Sequence, residues 1–249
     1  MTNFAVPKFS YKGRDFSKTR LAQGIEDLET NKPAYELGPK SASLGYQAAL
    51  FEIALLKQLN IDEAPKDIAE AALKYYDIIT SKENYGKGNW TSTIIDYDTD
   101  FGKPSLISKG YDRIGVLEDK EWIRKNNIWQ PKNKKDMLAV DMPPEGWAAL
   151  TNDGLYQLSG IPFETVKGKQ EAVKRLKTFA ADHGLDETNA QLFADKNVSY
   201  FYRSNKGTGY SPVCRYFSAN GSLYVAAHWL AAYWREDLGS FPARSSGKK

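Results

Sequence analysis

Thiols and imidazoles are almost missing from this chain of 249 residues, which has one cysteine, Cys214, and two histidines, His183 and His228. A single thiol excludes an intramolecular disulfide and leaves no set of thiolates for a structural zinc site. Two histidines nearly exclude imidazole-rich metal chemistry, so neither a metal nor another cofactor is expected. Long apolar runs are missing too: no stretch approaches the ~20 apolar residues of a membrane-spanning helix. The first residues, Met1-Thr-Asn-Phe-Ala-Val-Pro-Lys, lack an apolar core of signal-peptide length. Synthesis in the cytoplasm without a signal peptide is the expectation, and it leaves a virion or cell-surface position open. Charge of one sign is also lacking. A formal net charge of +3 and a pI near 8.7 are too mild to point to nucleic acid as a partner. One local basic cluster runs from Lys120 to Lys135, with Arg124, Lys125, Lys132 and Lys134 between, and reads as a solvated loop.

Catalytic patterns are equally sparse. His228 lies among Tyr224, Trp229, Tyr233 and Trp234, with no Ser, Cys or Asp partner to suggest a triad. Gly86-Lys-Gly88 and Gly207-Thr-Gly209 are too short to cradle a phosphate. The best enzymatic alternative is a magnesium-dependent nuclease built from Asp98, Asp100 or Asp112 with Glu118-Asp119-Lys120. There the carboxylates would hold the metal and the lysine would stabilise charge developing on the scissile phosphate. The Glu-x-Lys runs into Glu121-Trp-Ile-Arg-Lys instead of continuing as an apolar strand, so a solvated turn is the preferred reading. Asp96, Asp98 and Asp100 alternate and would share one strand face; a polar exposed face is preferred over a calcium site. His183 precedes Gly184 and reads as a helix C-terminal capping residue. Asn197-Val-Ser fits the glycosylation acceptor pattern, which matters only in a secreted eukaryotic setting.

What is present is an ordinary globular composition. Apolar residues at 41% and charged residues at 26% suffice to bury a core in one large domain or two small ones. Residues 1–40 read as irregular, punctuated by Pro7, Gly13, Gly24, Pro33, Gly38 and Pro39. The spacing of Leu44, Ala48, Phe51, Leu55 and Leu59 predicts a helix over 41–60, capped by Ser41 or Ser43. Pro65 opens a second helix over 65–81, and the short link predicts a helical hairpin. Trp90-Thr-Ser-Thr-Ile-Ile, Gly115-Val-Leu and Met137-Leu-Ala-Val are strand-like. Residues 119–136 are polar, charged and proline-interrupted, and make the best internal boundary. A helix is predicted over 168–182 with Gly184 as its left-handed cap, then a short helix over 187–193. After it the period changes to 2. Val213, Arg215 and Phe217 alternate with Cys214 and Tyr216, and Ala219-Asn220-Gly221 marks a turn before the next β-rich run.

The last fifty residues are rich in aromatics, small residues and arginine, and poor in acids. Five short segments lie there and just ahead of it. They are Met142-Pro-Pro-Glu-Gly-Trp147-Ala-Ala-Leu-Thr, Asp153 to Leu158, Tyr202-Arg-Ser, Val213-Cys-Arg-Tyr-Phe-Ser-Ala-Asn-Gly-Ser and Leu238-Gly-Ser-Phe-Pro-Ala-Arg244. In this order they resemble the C-type-lectin-like fold of the formylglycine-generating-enzyme type. Variable proteins of diversity-generating retroelements and phage tropism determinants use that scaffold. The chain departs from the pattern in having Ala-Leu-Thr for Leu-Pro-Thr, Gly-Ser-Phe for Gly-Phe-Arg, and a helix at 168–182 where the resemblance implies less regular structure. The formylglycine-generating activity does not carry over, because its paired cysteines cannot exist with Cys214 alone.

The expectation is therefore an α+β protein. Residues 1–118 form a presenting or assembly region with a helical hairpin, and 137–249 form a lectin-like domain with a mixed or antiparallel sheet. No catalytic residues are assigned. The resemblance implies non-catalytic recognition of a protein or glycan on a cell surface, with a homo-oligomer supplying avidity. The ligand-binding residues would be Tyr224, His228, Trp229, Tyr233, Trp234 and Arg235, types that dominate binding hot spots. A structural protein of a phage or other assembly is the remaining alternative.

Overall fold

The computed structural model describes residues 9–29, 42–81, 88–96, 112–117, 120, 122–126, 128–142, 145–150, 163–201, 210–217, 223–226 and 239–240. These residues contain five α-helices and thirteen strands, so the α+β class holds.

Residues 9–29 form regular elements where irregular structure was expected. Strands β1 (Phe9–Tyr11) and β2 (Arg14–Phe16) form a hairpin with Tyr11 opposite Arg14. Its two-residue turn, Lys12-Gly13, has positive φ at both positions (49° and 74°), the backbone that matches strand twist. Helix α1 (Lys18–Glu29) follows and buries Leu21, Ile25 and Leu28. Three large apolar residues around a central Gly24 make a weak periodic signal, and tertiary packing completes the helix.

Helix α2 (Leu44–Gln58) matches the predicted span, with Ser43 Oγ accepting from Tyr46 N at 3.3 Å as N-cap. Its end is a Schellman motif. Asn60 takes the left-handed position (φ 59°), and Ile61 N donates to Leu56 O at 2.9 Å. Residues from Gly45 through Leu55 are all buried, so α2 runs through the core. Helix α3 (Lys66–Thr80) packs on it and buries one face, Ile68, Ala69, Ala72, Tyr75 and Tyr76.

Strand β3 (Gly88–Asp96) is the centre of a six-stranded sheet. On one edge it pairs antiparallel with β11 (Tyr210–Phe217), which pairs with β12 (Leu223–Ala226). On the other it meets β4 (Asp112–Leu117), which pairs with β7 (Leu138–Met142), and then β13 (Gly239–Ser240), the one parallel neighbour in the sheet. Phe217 faces Leu223, so residues 218–222, which include the expected Ala219-Asn220-Gly221 turn, lie outside the described residues.

Pairing of β3 with β11 jumps from Trp90↔Cys214 to Ile94↔Pro212. Val213 thus spans Thr91, Ser92 and Thr93, a bulge in β3 next to a proline that has no N–H to donate. Thr93 N donates to Thr91 Oγ1 at 3.2 Å, and Ser92 N turns to Ala42 O at 3.1 Å. Thr91 through Asp96 are all at most 4% exposed, so both faces of this strand are covered.

The stretch read as a boundary also carries structure. Strands β5 (Trp122–Lys125) and β6 (Ile128–Pro131) pair antiparallel, and a short 3-10 turn at Lys134–Asp136 leads into β7. The sheet takes strands from both sides of this segment.

A second sheet has β8 (Gly146–Leu150) between β9 (Phe163–Val166) and β10 (Ser199–Phe201). Gly146 passes so close to β9 that an added Cβ would lie 2.9 Å from Val166 O. Helix α4 (Lys169–Asp182) covers this sheet and ends in the expected cap. Gly184 has φ 93°, and Leu185 N donates to Ala180 O at 3.1 Å. Helix α5 (Glu187–Asn197) is four residues longer than predicted, with Asp186 capping Asn189 N at 2.9 Å. One core cluster runs from Phe16 and Leu21 through α2 and α3 to Leu176, Phe193 and Val198.

Tyr76 ties these parts together. Its hydroxyl donates to Asn197 Oδ1 at 2.6 Å, its ring lies 5.0 Å from that of Phe51, and Lys196 Nζ sits 4.8 Å above it. Asn197 Nδ2 donates in turn to Phe193 O at 2.9 Å, so the glycosylation reading has no free, exposed amide to act on. Tyr76→Phe is expected to cost about 1–3 kcal/mol, since it removes a buried partner of Asn197. Gly146→Ala is expected to cost about as much, about 1–3 kcal/mol by overpacking against backbone. Urea denaturation of each variant measures both losses.

Candidate functional site

The candidate site is the end of the six-stranded sheet where β3 starts, β11 and β12 run together and β13 returns. Tyr216 is paired with Gly88 on one side and Tyr224 on the other, and Cys214 stands between Trp90 and Ala226. Gly239 and Ser240 pair with Asn89 and Trp90 from the far edge. Ala226 and the start of β13 therefore lie three strand spacings apart, roughly 14 Å, across one end of the sheet. Both attachment points of residues 227–238 are fixed by ladder hydrogen bonds.

Of the six expected ligand-binding residues, Tyr224 is placed on β12, an edge strand of the sheet path. His228, Trp229, Tyr233, Trp234 and Arg235 belong to the 227–238 connection and lie outside the described residues. Of the expected closing strand Leu238 to Arg244, Gly239 and Ser240 are described; their pairing with β3 is parallel.

The nuclease constellation is only partly placed. Asp98, Asp100, Glu118 and Asp119 lie outside the described residues, and Lys120 is exposed. Asp112 starts β4 and Leu117 ends it, five residues or roughly 17 Å along the strand. That length weighs against one magnesium held between Asp112 and the Glu118-Asp119-Lys120 segment that follows Leu117. Asp96, expected on an exposed polar face, is instead 4% exposed, because β3 is covered on both faces. Among the described residues there is no group of three or more His, Cys, Asp or Glu side chains placed to hold a metal ion. No helix among them is long and apolar enough to cross a membrane.

His183 takes its expected place. It is the C-cap of α4, its Nδ1 is 2.7 Å from Phe179 O, and its ring lies 4.3 Å from that of Phe179. It serves the helix end.

One titratable cluster was not anticipated. Glu52, the only acid of α2, has 9% of its side chain exposed and accepts from Lys12 Nζ at 2.6 Å. Burial pushes its carboxyl above the usual glutamate range, against the opposing pull of Lys12. Tyr11 stands beside it, and burial followed by the Glu52 charge pushes its phenol up. The signal in the sequence was a lone acid inside the apolar run Ala49-Leu50-Phe51-Glu52-Ile53-Ala54. Its partners come from a hairpin about 40 residues earlier, at a turn with no apolar periodicity to announce it. The cluster fastens the strained Lys12 turn to the central helix.

Comparisons of the chain with protein-family models, with curated proteins and with solved structures gave no match.

The raised carboxyl sets a direction for stability against pH. Folding favours protonated Glu52, so its stabilising contribution is complete below the unfolded-state pKa and is lost as pH rises through the higher folded-state value. Glu52→Gln is expected to flatten the stability profile across that window. Chemical denaturation from acid to neutral pH, wild type against variant, measures it; an unchanged slope would rule out Glu52 as its source.

Proposed function

We propose that the protein is a non-catalytic ligand-binding protein whose working surface is the aromatic C-terminal region held on the end of the six-stranded sheet. The observation that carries this reading is the double anchoring of residues 227–238 between β12 and β13. A segment tethered at both ends to a paired sheet can present side chains without those side chains being needed for the fold. Tyr, Trp and Arg suit the task, giving large contact areas with few rotors to freeze.

On this reading residues 137–249 are a C-type-lectin-like domain of the formylglycine-generating-enzyme type, as in retroelement-diversified variable proteins. Residues 1–118 present it and assemble it, and lend β3 and β4 to its sheet. The ligand is a protein or glycan on a cell surface, and a homo-oligomer raises weak single-site affinity through avidity. Tyr224, His228, Trp229, Tyr233, Trp234 and Arg235 make the contacts.

A glycan-array and cell-surface binding screen with the full chain tests the reading. Tyr224→Ala with Trp234→Ala is expected to cost about 2 kcal/mol per residue, roughly 30-fold each in affinity. Circular dichroism and the melting temperature should stay at wild-type values. A folded double variant that binds as well as wild type rejects the proposal. Magnesium-dependent DNA cleavage lost in Glu118→Ala would replace it with the nuclease, and concentration-dependent assembly without any ligand would replace it with a structural role.

A further inference from the structure

The net charge of the whole chain hides a strong local asymmetry. Residues 120–135 hold six basic side chains, Lys120, Arg124, Lys125, Lys132, Lys134 and Lys135, against one acid, Glu121. That is net +5 in sixteen residues of a chain whose total is +3, so the remainder is slightly acidic.

The structure turns this run into a shaped surface. Trp122 pairs with Pro131 and Arg124 with Trp129, and Pro131 is buried. Ile123 and Lys125, which alternate with them, are exposed, as are Lys120, Asn126, Lys132, Asn133, Lys134 and Lys135. Among the described residues no carboxylate lies within ion-pair distance of Lys120, Lys125 or Lys135. Asn126 closes the hairpin in the left-handed region (φ 52°). Three large apolar side chains are exposed among the described residues. Two of them, Ile123 (42%) and Leu138 (64%), sit on this ribbon and on the strand just after its turn.

We propose that the β5–β6 ribbon and the Lys132–Lys135 turn form a docking surface for the backbone of duplex DNA. A two-stranded ribbon is of a size to enter a major groove. Lysines at several points along it can neutralise successive phosphates and release counterions. Asn126 and Gln130 add amides to the same ribbon that can meet phosphate, sugar or base-edge groups, while Asn133 caps Lys135 N and faces Asp136. This surface uses none of the residues proposed for ligand contact at the C-terminus.

Fluorescence anisotropy of the full chain with short labelled duplex DNA and duplex RNA tests the proposal. Wild type is expected to bind at about 50 mM salt, with log affinity falling against log salt at a slope of about −3 to −5. Binding to duplex DNA supports it; binding to duplex RNA alone overturns it, because the deep, narrow A-form major groove does not admit the ribbon. Lys120→Ala, Lys125→Ala and Lys135→Ala together should weaken binding at least tenfold and reduce the slope by about 3. The matching triple Arg variant should keep the binding, and Tyr224→Ala with Trp234→Ala should leave it unchanged. The proposal is overturned by an absence of salt-dependent binding in wild type, or by a folded triple Ala variant that binds normally. It is also overturned if the three lysines govern binding only to phosphatidylserine-containing vesicles.

Discussion

The carbonyl of Ala42 is the joint on which the rest of the molecule depends. It accepts from Ser92 N in the β3 bulge at 3.1 Å and from Gln47 Nε2 of α2 at 3.3 Å, and Gln47 Oε1 accepts from the Tyr75 hydroxyl at 3.0 Å. One acceptor thus links the entry to α2, the central strand and, through one amide, α3. All these groups are buried, where each unmade hydrogen bond costs about 1–3 kcal/mol. The bulge explains why Thr91, Ser92 and Thr93 sit in a covered strand. A regular ladder has no use for the Thr91 hydroxyl, whereas here it accepts from Thr93 N in place of a strand partner. Strands β11, β4 and β13 all take their register from β3, so the helical layer sets the position of the sheet through this contact.

Two further polar ties do the same work at longer range. Tyr76 and Asn197 bring α3 and α5 together across 121 positions of sequence, with α5 leading directly into β10 of the second sheet. Lys12 and Glu52 hold the first hairpin on α2 at a turn whose left-handed lysine costs about 1–2 kcal/mol on its own. In each case hydrophobic burial supplies the bulk of the stability, and the polar pair selects which faces meet.

The two proposed surfaces share this scaffold. The ribbon of β5 and β6 leaves the sheet after β4 and returns to it at β7, while the C-terminal segment leaves after β12 and returns at β13. Both are excursions from one sheet, the arrangement in which loops can specialise without disturbing the core. β6 also packs near β11, so the base of the ribbon and the C-terminal hairpin have common support.

Helices α2, α3 and α4, the Gly184 cap, the strand character of Trp90 to Ile95 and the period-2 run of β11 were legible, because each rests on local spacing or on one residue's allowed backbone. The hairpin of β1 and β2, helix α1 and the ribbon of β5 and β6 were not. Their apolar residues are interrupted by charged and turn residues, so no clear period marks them, although both hairpins pair locally. Asp96 illustrates the limit: alternation with Asp98 and Asp100 marks it as exposed, yet it is 4% exposed, paired with Tyr210 on one side and Gly115 on the other. For the candidate site, the aromatic composition and the hairpin could be read directly, while the anchoring of residues 227–238 at both ends could not. The sequence by itself determined where the chain can coil, turn and alternate, since those depend on neighbours within a few residues. Only the tertiary structure decided that β13 returns in parallel to β3, that a buried bulge joins helices to sheet, and that a basic run expected as a loop becomes a paired ribbon. Those outcomes turn on which distant groups satisfy each other's hydrogen bonds and cover each other's apolar faces, and no local pattern records that.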